Sequence, residues 1–300
     1  MGRDAYEASP AARAVFEAAD SALDFSLSQL CFEGPDEELR RTEIQQPAIL
    51  TVSIALLRAL EEGFAVEPAF VAGHSLGEYS ALVAAGALDF EQAVRLVHAR
   101  GRFMQEAVPE GVGAMAAVLG STPESVAEAC AAAAKEKGEV VSPANFNSPA
   151  QTVIAGAKQA VQDACERALE QGAKKTVSLP VSAPFHCALM APAAERLEAE
   201  LAGISFRDAS PPVVTNVEAK ANTDGTRTAA LLKEQVTAAV RFTDMVEELT
   251  SLGADHFLEV GPGRVLSGLL ARIQRRVPRA NLSGIGDLEE ARSFVEAGQG

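Results

Sequence analysis

The hydrophobic pattern of the chain alternates between strand-like and helix-like segments over much of its 300 residues. Apolar residues occupy most faces of the segment 46–62, which predicts a buried helix. Short apolar runs at 69–73, 213–217 and 256–260 predict strands, and a helical pattern follows each of them. Alternation of this kind is typical of an α/β fold in which helices cover both faces of a parallel sheet.

A different order of elements occupies residues 113–182. The pattern there predicts strand, helix, strand, strand, helix and strand, with a polar turn at 147–149 between the two middle strands. This order is the split βαβ arrangement, which can form a unit by itself. We therefore expect a small inserted domain at 113–182, with the alternating pattern resuming after it.

Composition and charge narrow the classes of function. The chain is 48% apolar and 22% charged, as is usual for a globular protein with a sizeable core. Its net charge of −15 argues against nucleic-acid binding, which requires a basic face. No apolar stretch reaches the roughly 20 residues that cross a bilayer. We expect a monomer, because no large apolar stripe stands out. We expect neither a nucleic-acid partner nor a membrane partner.

The cysteine pattern bears on location and on metal binding. The four cysteines are scattered, without a C-x-x-C pair, and no His/Cys cluster has the spacing of metal ligands; they are Cys31, Cys130, Cys165 and Cys187. Reduced thiols of this kind are typical of a cytoplasmic protein. We expect structural cysteines, a cytoplasmic location and no metal.

One segment departs from the acidic character of the chain. Between residues 264 and 279 there are five arginines and no acidic residue, namely Arg264, Arg272, Arg275, Arg276 and Arg279. The segment is either a solvated helix face or a docking patch for an acidic partner.

The strongest chemical signal is the sequence Gly73-His74-Ser75-Leu76-Gly77 at the junction of a predicted strand and a predicted helix. It matches G-x-S-x-G, the nucleophile elbow, in which small neighbours allow a sharp turn that exposes the serine hydroxyl. The N–H of Leu76 then lies at a helix N-terminus, where it can stabilise an oxyanion. The alternative is a glycine-rich turn with a structural serine.

A serine nucleophile needs a base, and the chain contains four histidines. The side chain of His74 should diverge from its neighbour Ser75, His98 lies in the middle of a helix, and His256 begins an apolar strand. His186 follows a strand in a loop punctuated by prolines, where catalytic residues often lie. The residues alone favour His186.

Six stretches extend this signal along the chain in a fixed order: GHSLGEYSALVAAGALDF, VRLVHARGRFMQEAVPEG, GAMAAVLG, VSPANFNSP, PVSAPFHCALM and LEVGPGRVL. In order and spacing they resemble the malonyl-CoA:acyl carrier protein transacylase family from about residue 30 onward. The resemblance implies an α/β-hydrolase-like large subdomain with a parallel sheet at 1–112 and 183–300. It also implies a ferredoxin-like (βαββαβ) insert at 113–182.

The resemblance also implies a role for individual positions. Ser75 matches the nucleophile, His186 the general base, and Gln235 the residue whose backbone carbonyl orients the histidine. Leu76 supplies an oxyanion N–H. The positions that match substrate-binding residues are Arg100, which holds the free malonyl carboxylate, Phe185, which is typical of malonyl-type sites, and Asn145 and Asn147, which lie in a loop lining the cleft.

The implied reaction has two steps and needs no cofactor besides its substrates. A malonyl group moves from malonyl-CoA to the serine, and then to the phosphopantetheine thiol of acyl carrier protein in fatty acid or polyketide synthesis. Acyl carrier proteins are acidic, so a basic strip on the enzyme could steer docking. The candidate docking residues are Arg264, Arg272, Arg275, Arg276, Lys174 and Lys175.

Two other functions remain open at the level of sequence. One is a serine esterase or thioesterase, which predicts an acidic partner for His186. The other is a truncated carrier-binding protein with little turnover. It arises because members of the family open with an apolar strand and a glycine- and glutamine-containing loop, whereas this chain starts at MGRDAYEAS. We expect the chain as written to lack the second oxyanion N–H of that loop.

Overall fold

The computed structural model describes residues 1–109, 111–181 and 183–298, and it has an α/β fold with mixed sheets. The helices are α1 (Arg3–Ala8), α2 (Pro10–Ala22), α3 (Leu27–Glu33), α4 (Asp36–Leu39), α5 (Thr42–Glu61), α6 (Leu76–Ala84), α7 (Phe90–Glu106), α8 (Pro123–Lys137), α9 (Lys158–Glu170), α10 (Ala191–Leu201), α11 (Gly225–Thr237), α12 (Phe242–Ser251), α13 (Val265–Ile273) and α14 (Leu288–Gly298). The strands are β1 (Val71–Ala72), β2 (Gly113–Leu119), β3 (Val141–Ser148), β4 (Gln151–Ala157), β5 (Lys175–Ser178), β6 (Val213–Val214), β7 (Ala221–Asn222), β8 (Phe257–Val260) and β9 (Arg279–Leu282).

Helix α5 forms the centre of the larger part of the molecule. It begins earlier than the pattern predicts, at Thr42, and its apolar residues are buried on nearly every side. Helices α2, α6 and α7 pack around it in one extended apolar core. Because α5 and α7 lie side by side, Gln46 on the first and Arg100 on the second can meet in the interior.

The prediction of one parallel sheet is wrong, because the strands of the larger part form two separate sheets and one strand pair is antiparallel. The order in one sheet is β1-β6-β7, where β1 and β6 are parallel and β6 and β7 antiparallel, while β8 and β9 form a separate parallel pair. The connection 215–220 between β6 and β7 is short, and a short connection returns the chain antiparallel, since a parallel crossover needs a dozen or more residues. The parallel pair β1–β6 positions the turn that carries Ser75.

Residues 113–178 form a four-stranded antiparallel sheet in the order β3-β4-β2-β5. Alternate side chains of β2 point to opposite faces, as a strand requires. Ala116 and Val118 pack with α8 and α9, whereas Met115 and Ala117 pack with the segment around Cys187. The second face of this sheet therefore rests against the stretch that carries His186.

The predicted insert agrees with the structure in the order of its elements and differs in the position of one turn. The elements occur in the predicted order, but β3 continues through Ser148, which pairs with Gln151, so the turn is Pro149-Ala150 and not 147–149. The predicted limit at residue 182, and residues 299–300 of the predicted large subdomain, lie outside the described residues.

Candidate active site

Ser75 occupies the sharp turn between β1 and α6. Its backbone has φ 52° and ψ −105°, a conformation that residues other than glycine rarely adopt. Strain of this kind costs on the order of 1–3 kcal/mol and persists only where the surroundings enforce it. The turn brings the hydroxyl into contact with side chains from distant parts of the sequence.

Gly73 makes the turn possible. A Cβ atom at this position would lie 2.1 Å from the carbonyl carbon and oxygen of Gly77, so no other residue fits without moving the first turn of α6. A Cβ atom on Gly77 would meet nothing within 4 Å. The sequence pattern predicts that both glycines are needed for close packing at the turn. The structure shows this need for Gly73 and not for Gly77.

Asn216, in the turn after β6, holds the elbow from the opposite side. The Ser75 N–H donates to Asn216 Oδ1 at 2.6 Å, and Asn216 Nδ2 donates to the Gly73 carbonyl at 2.7 Å. Asn216 was not predicted from the sequence. Its position directly beyond a strand of a parallel pair, where functional side chains gather, could have suggested it.

His186 contacts Ser75 with a defined tautomer. Its Nδ1 lies 2.8 Å from the backbone carbonyl of Gln235 and its Nε2 lies 2.7 Å from Ser75 Oγ. A carbonyl oxygen can only accept, so Nδ1 carries the proton and the lone pair of Nε2 faces the serine hydroxyl. Burial, and after it the charge of Arg100, lowers the pKa of His186 from 6.5 to about 3, which keeps the imidazole neutral.

Arg100 reaches the same hydroxyl from α7 with only 2% of its surface exposed. Its Nη2 donates to Ser75 Oγ at 3.0 Å and to Gln235 Oε1 at 2.9 Å, and its Nη1 donates to Gln46 Oε1 at 2.6 Å. The guanidinium carbon lies 5.3 Å from the centre of the Tyr79 ring. Gln46 was also missed, although a glutamine pair at the start of an apolar helix is an unusual polar feature.

The side chain of Gln235 makes contacts beyond those implied for its backbone. Its Nε2 donates to the Ser75 carbonyl at 3.0 Å and to Glu78 Oε2 at 2.8 Å. Burial raises the pKa of the Glu78 carboxyl from 4.5 to about 7, against the lowering effect of the hydrogen bonds from Gln235 and Asn216 and of the charge on Arg100. Glu78 was not predicted from the sequence.

Leu76 and Phe185 flank the two reacting side chains. Leu76 is the first residue of α6, so its N–H has no partner within the helix and lies beside the serine. Phe185 is half-buried and packs between the main core and the insert sheet, next to His186. Both positions are compatible with the roles that the resemblance implies, which stay predictions.

The loop predicted for Asn145 and Asn147 is wrong, because both residues belong to β3. The register of β3 on β4 shifts between Phe146 and Ser148, and such a bulge redirects a side chain. Asn147 Oδ1 lies 2.8 Å from the Nε2 of His74, and Asn145 bridges to the backbone at Val240. Asn147 thus contacts the residue before the serine and not Ser75 itself.

The remaining histidines lie away from Ser75 Oγ in contacts of their own. His74 turns toward Asn147, and its ring lies 5.6 Å from that of Phe242. His98 is half-buried with its ring 5.4 Å from that of Phe25. His256 contacts Asp255 at 3.1 Å.

The basic residues predicted for docking are all exposed on the surface and lie outside the Ser75 cluster; they are Arg264, Arg272, Arg275, Arg276, Lys174 and Lys175. Arg264 lies 3.6 Å from Asp287, and Arg272 donates to Gln151 Oε1 of β4 at 2.6 Å. Among the described residues, no group of three or more His, Cys, Asp or Glu side chains is placed to hold a metal ion. In the same part of the chain, no helix has both the length and the apolar character of a membrane span.

What these side chains can do together is accept an acyl group on Ser75 and release it again. The fold and the site therefore define an acyl-transfer enzyme of the serine class. The model of the acyl transferase domain family matches residues 1–292. The chain belongs to this family, which confirms the resemblance noted in its motifs.

Individual relatives match over most of their length. Malonyl CoA-acyl carrier protein transacylase of Escherichia coli strain K12 is 52% identical over 264 residues, which cover 88% of this chain and 85% of that protein. An acyl carrier protein S-malonyltransferase structure from Vibrio cholerae superimposes with a TM-score of 0.93 at 44% identity, covering 96% of this chain and 94% of the other. A malonyl-transacylase solved in complex with its type II PKS acyl-carrier protein has a TM-score of 0.93 at 45% identity, with coverages of 97% and 93%.

Proposed function

We propose that the chain transfers a malonyl group from malonyl-CoA, through an ester on Ser75, to the phosphopantetheine thiol of an acyl carrier protein in fatty acid or polyketide synthesis. The observation that carries the proposal is the position of Ser75 Oγ, 2.7 Å from a base, His186 Nε2, and 3.0 Å from the guanidinium of Arg100. The names of the relatives support the same substrate and acceptor.

The reach of Arg100 fits a short acyl group that ends in a carboxylate. In malonate the carboxylate carbon is two C–C bonds of about 1.5 Å each from the acyl carbon. An ester on Ser75 therefore holds the free carboxylate within the reach of a guanidinium that lies 3.0 Å from Oγ. A planar fork of donors suits this carboxylate, whereas an acetyl group would leave the buried charge without it.

The first half of the reaction forms the ester. His186 Nε2 accepts the serine proton as Oγ attacks the thioester carbonyl, and the N–H of Leu76 stabilises the oxyanion. The protonated imidazole then gives its proton to the departing CoA thiolate. Gln235 stabilises the transient imidazolium through its carbonyl, which already accepts the Nδ1 proton at 2.8 Å.

The second half reverses the roles of the two thiols. The phosphopantetheine thiol gives its proton to His186 and attacks the malonyl ester, and the returning proton restores the Ser75 hydroxyl. This is a ping-pong reaction, and it needs no cofactor besides malonyl-CoA and the carrier-bound phosphopantetheine. Phe185 and the Asn145–Asn147 strand would border the acyl chain.

The esterase alternative is disfavoured by the partner of His186. An esterase is expected to orient its histidine with a carboxylate, but His186 donates to a backbone carbonyl. We infer that a neutral partner makes the imidazole a weaker base toward water and so favours transfer over hydrolysis. Intact-protein mass spectrometry after mixing with malonyl-CoA separates the alternatives. We expect a lasting malonyl adduct on the wild-type chain and none on Ser75→Ala.

Two other outcomes would refute transfer. Release of free malonate without a lasting adduct would indicate an esterase. A chain that binds carrier but forms no adduct would be a carrier-binding protein. Addition of a phosphopantetheinylated acyl carrier protein to the isolated adduct completes the test, since the malonyl mass should move to the carrier.

We propose that the carrier docks where Arg272 of α13 meets the insert sheet. Gln151, which binds Arg272, pairs with Leu119, and Leu119 pairs with Lys175. Gln151, Leu119 and Lys175 are therefore aligned across three neighbouring strands, so the backbones of Gln151 and Lys175 lie two strand spacings of about 4.8 Å apart. Arg272, which binds Gln151, is thereby placed near Lys175. Arg264, Arg275, Arg276 and Lys174 are also exposed, and we include them in the proposed surface, which suits an acidic partner.

A charge reversal separates docking from chemistry. The double variant Arg275→Glu/Arg276→Glu should slow transfer to the carrier about tenfold through a lower association rate, and leave Ser75 acylation by malonyl-CoA unchanged. The matched control is Arg13→Glu/Arg40→Glu, which changes the net charge equally on exposed residues of other elements. Equal rates of transfer in the two double variants would refute the docking surface.

We also propose the finer organisation expected from the resemblance, an α/β-hydrolase-like subdomain at 1–112 and 183–300 with a ferredoxin-like insert at 113–182. The strand order β3-β4-β2-β5 and the separate apolar cluster of α8 and α9 support the insert. We propose a monomer, because large exposed apolar side chains are scattered among the described residues. A cytoplasmic location fits the proposed CoA thioester substrate and four cysteines without disulfides.

A further inference from the structure

Glu78 lies at the centre of a buried hydrogen-bond network that the proposed reaction steps do not use. Its surface is 2% exposed, and among the described residues it and Arg100 are the only Asp, Glu, Lys or Arg side chains that are buried. Its Oε2 accepts from the backbone N–H of Asn216 at 3.1 Å and from Gln235 Nε2 at 2.8 Å. A buried carboxyl group with two donors on one oxygen is an expensive feature that requires a reason.

Each of its two partners holds one half of the reacting pair. Asn216 binds the N–H of Ser75 and the carbonyl of Gly73, so it fixes both ends of the elbow. Gln235 provides the carbonyl that receives the Nδ1 proton of His186. Glu78 therefore connects the support of the nucleophile to the support of the base.

The orientation of the Gln235 amide follows from its neighbours. Arg100 can only donate, so the amide oxygen must face its Nη2, as observed at 2.9 Å. The amide nitrogen then faces the Ser75 carbonyl and Glu78 Oε2, and each of its two N–H groups has one acceptor. Without Glu78, one of these N–H groups and the N–H of Asn216 would be buried without a partner, and both segments would shift to find one.

We propose that the carboxyl group of Glu78 is a positioning residue that holds Asn216 and Gln235, and through them Ser75 and His186, in the geometry needed for proton transfer. The proposal rests on the proposed acyl transfer for its assay. It requires an acceptor at Oε2 and not a negative charge, since a protonated carboxyl group or an amide can accept at the same position.

The test compares Glu78→Ala and Glu78→Gln with a matched control, Leu82→Ala. Leu82 lies on the same helix and is buried in the core, so its truncation perturbs α6 without touching the network. The rate of malonyl-Ser75 formation is followed by rapid quench and intact mass over a range of malonyl-CoA concentrations. This measurement separates the maximal rate from the half-saturating concentration.

We expect Glu78→Ala to lower the maximal rate by about 10- to 100-fold, because displacement of reacting groups by about 1 Å has an effect of this size. The half-saturating concentration should change little, since Arg100 keeps its bond to Gln46. Glu78→Gln should retain most of the rate. Leu82→Ala should lower the melting temperature but keep the rate per folded molecule. If Glu78→Ala does not fold, Glu78→Asp, which withdraws the oxygen by one methylene, should show the same loss of rate.

A second readout does not depend on malonyl transfer. Sulfonylation of Ser75 by a small neutral sulfonyl fluoride requires the Ser75–His186 pair alone, and it should slow in Glu78→Ala by a similar factor. Wild-type protein that is sulfonylated but never malonylated would refute the proposed function. In that case the sulfonylation rates of wild type and Glu78→Ala would still decide whether Glu78 is a positioning residue. Equal sulfonylation and acylation rates in wild type and Glu78→Ala, or a loss in Glu78→Gln as large as in Glu78→Ala, would overturn the proposal.

Discussion

The two glycines of the elbow predict opposite responses to the same substitution. In Gly73→Ala the added Cβ would lie 2.1 Å from backbone atoms of Gly77, whereas ordinary contact begins near 3.4 Å. The strand end and the first turn of α6 must therefore separate by about 1.3 Å. Ser75 lies between them, and a misplacement of about 1 Å at a reacting group costs roughly 100-fold in rate. We expect a loss of acylation of that order.

Gly77→Ala is the matched control. Its Cβ would meet nothing within 4 Å, and its φ is not in the left-handed region. Alanine within a helix is favoured over glycine by roughly 0.5–1 kcal/mol. This variant should keep the wild-type rate of acylation and melt at the same or a slightly higher temperature. Both rates are measured as formation of malonyl-Ser75 by intact mass, with circular dichroism to establish that each variant is folded.

Two outcomes would refute the steric role of Gly73. If Gly73→Ala and Gly77→Ala form the adduct at the same rate, the close packing of strand end against helix does not position Ser75. If Gly77→Ala alone is inactive, the space beside Gly77 is used by a substrate, and Gly77 rather than Gly73 is the position that requires glycine.

Three further predictions concern the charged groups of the site. Arg100→Ala should lower kcat/KM for malonyl-CoA by 100-fold or more, since loss of one partner of the buried pair that Arg100 would form with the malonyl carboxylate costs about 3 kcal/mol. We expect kcat/KM for acetyl-CoA to be much lower in the wild type and to fall far less in the variant; equal losses for the two substrates would show a purely structural arginine. Because the pKa of His186 is lowered to about 3, its basic form is present throughout pH 5–8, so the acylation rate should show no inflection near pH 6.5. The pKa of Glu78 is raised to about 7 from 4.5, so between these values the folded protein holds a proton that the unfolded chain releases, and stability falls as pH rises through this window. Glu78→Gln should lack this slope and gain on the order of 3 kcal/mol relative to wild type by pH 8, measured by urea unfolding at pH 5 and pH 8.

Local sequence was sufficient to find the elbow. The G-x-S-x-G pattern depends on residues within one strand-to-helix junction, so the sequence contains the information that the turn requires. The residues alone favoured His186, whereas Arg100 and Gln235 were found only because long motifs resemble a known family, and the structure brings all three to Ser75. Neither periodicity nor spacing would have joined residues that are 25 to 160 positions apart from the serine.

The residues that were missed share a physical cause. Gln46 meets Arg100 only after α5 has packed against α7, and Asn216 meets Glu78 only after the turn beyond β6 has packed against α6, so hydrophobic periodicity does not show either encounter. The same limit applies to the sheets. Alternation predicts strands and helices but not which strands pair, and the two-residue strands β1 and β6 leave little pattern to read.

The hydrogen-bond partners of Arg100 bear on the selection of an acidic acyl group that we propose for this site. In the described part of the chain, its hydrogen bonds go to amide and hydroxyl oxygens of Gln46, Gln235 and Ser75. The nearby carboxyl group, Glu78, is bound to Asn216 and Gln235 instead. An ionised carboxylate is a stronger acceptor for a guanidinium than these neutral oxygens, so the proposed malonyl carboxylate would bind Arg100 in preference to them.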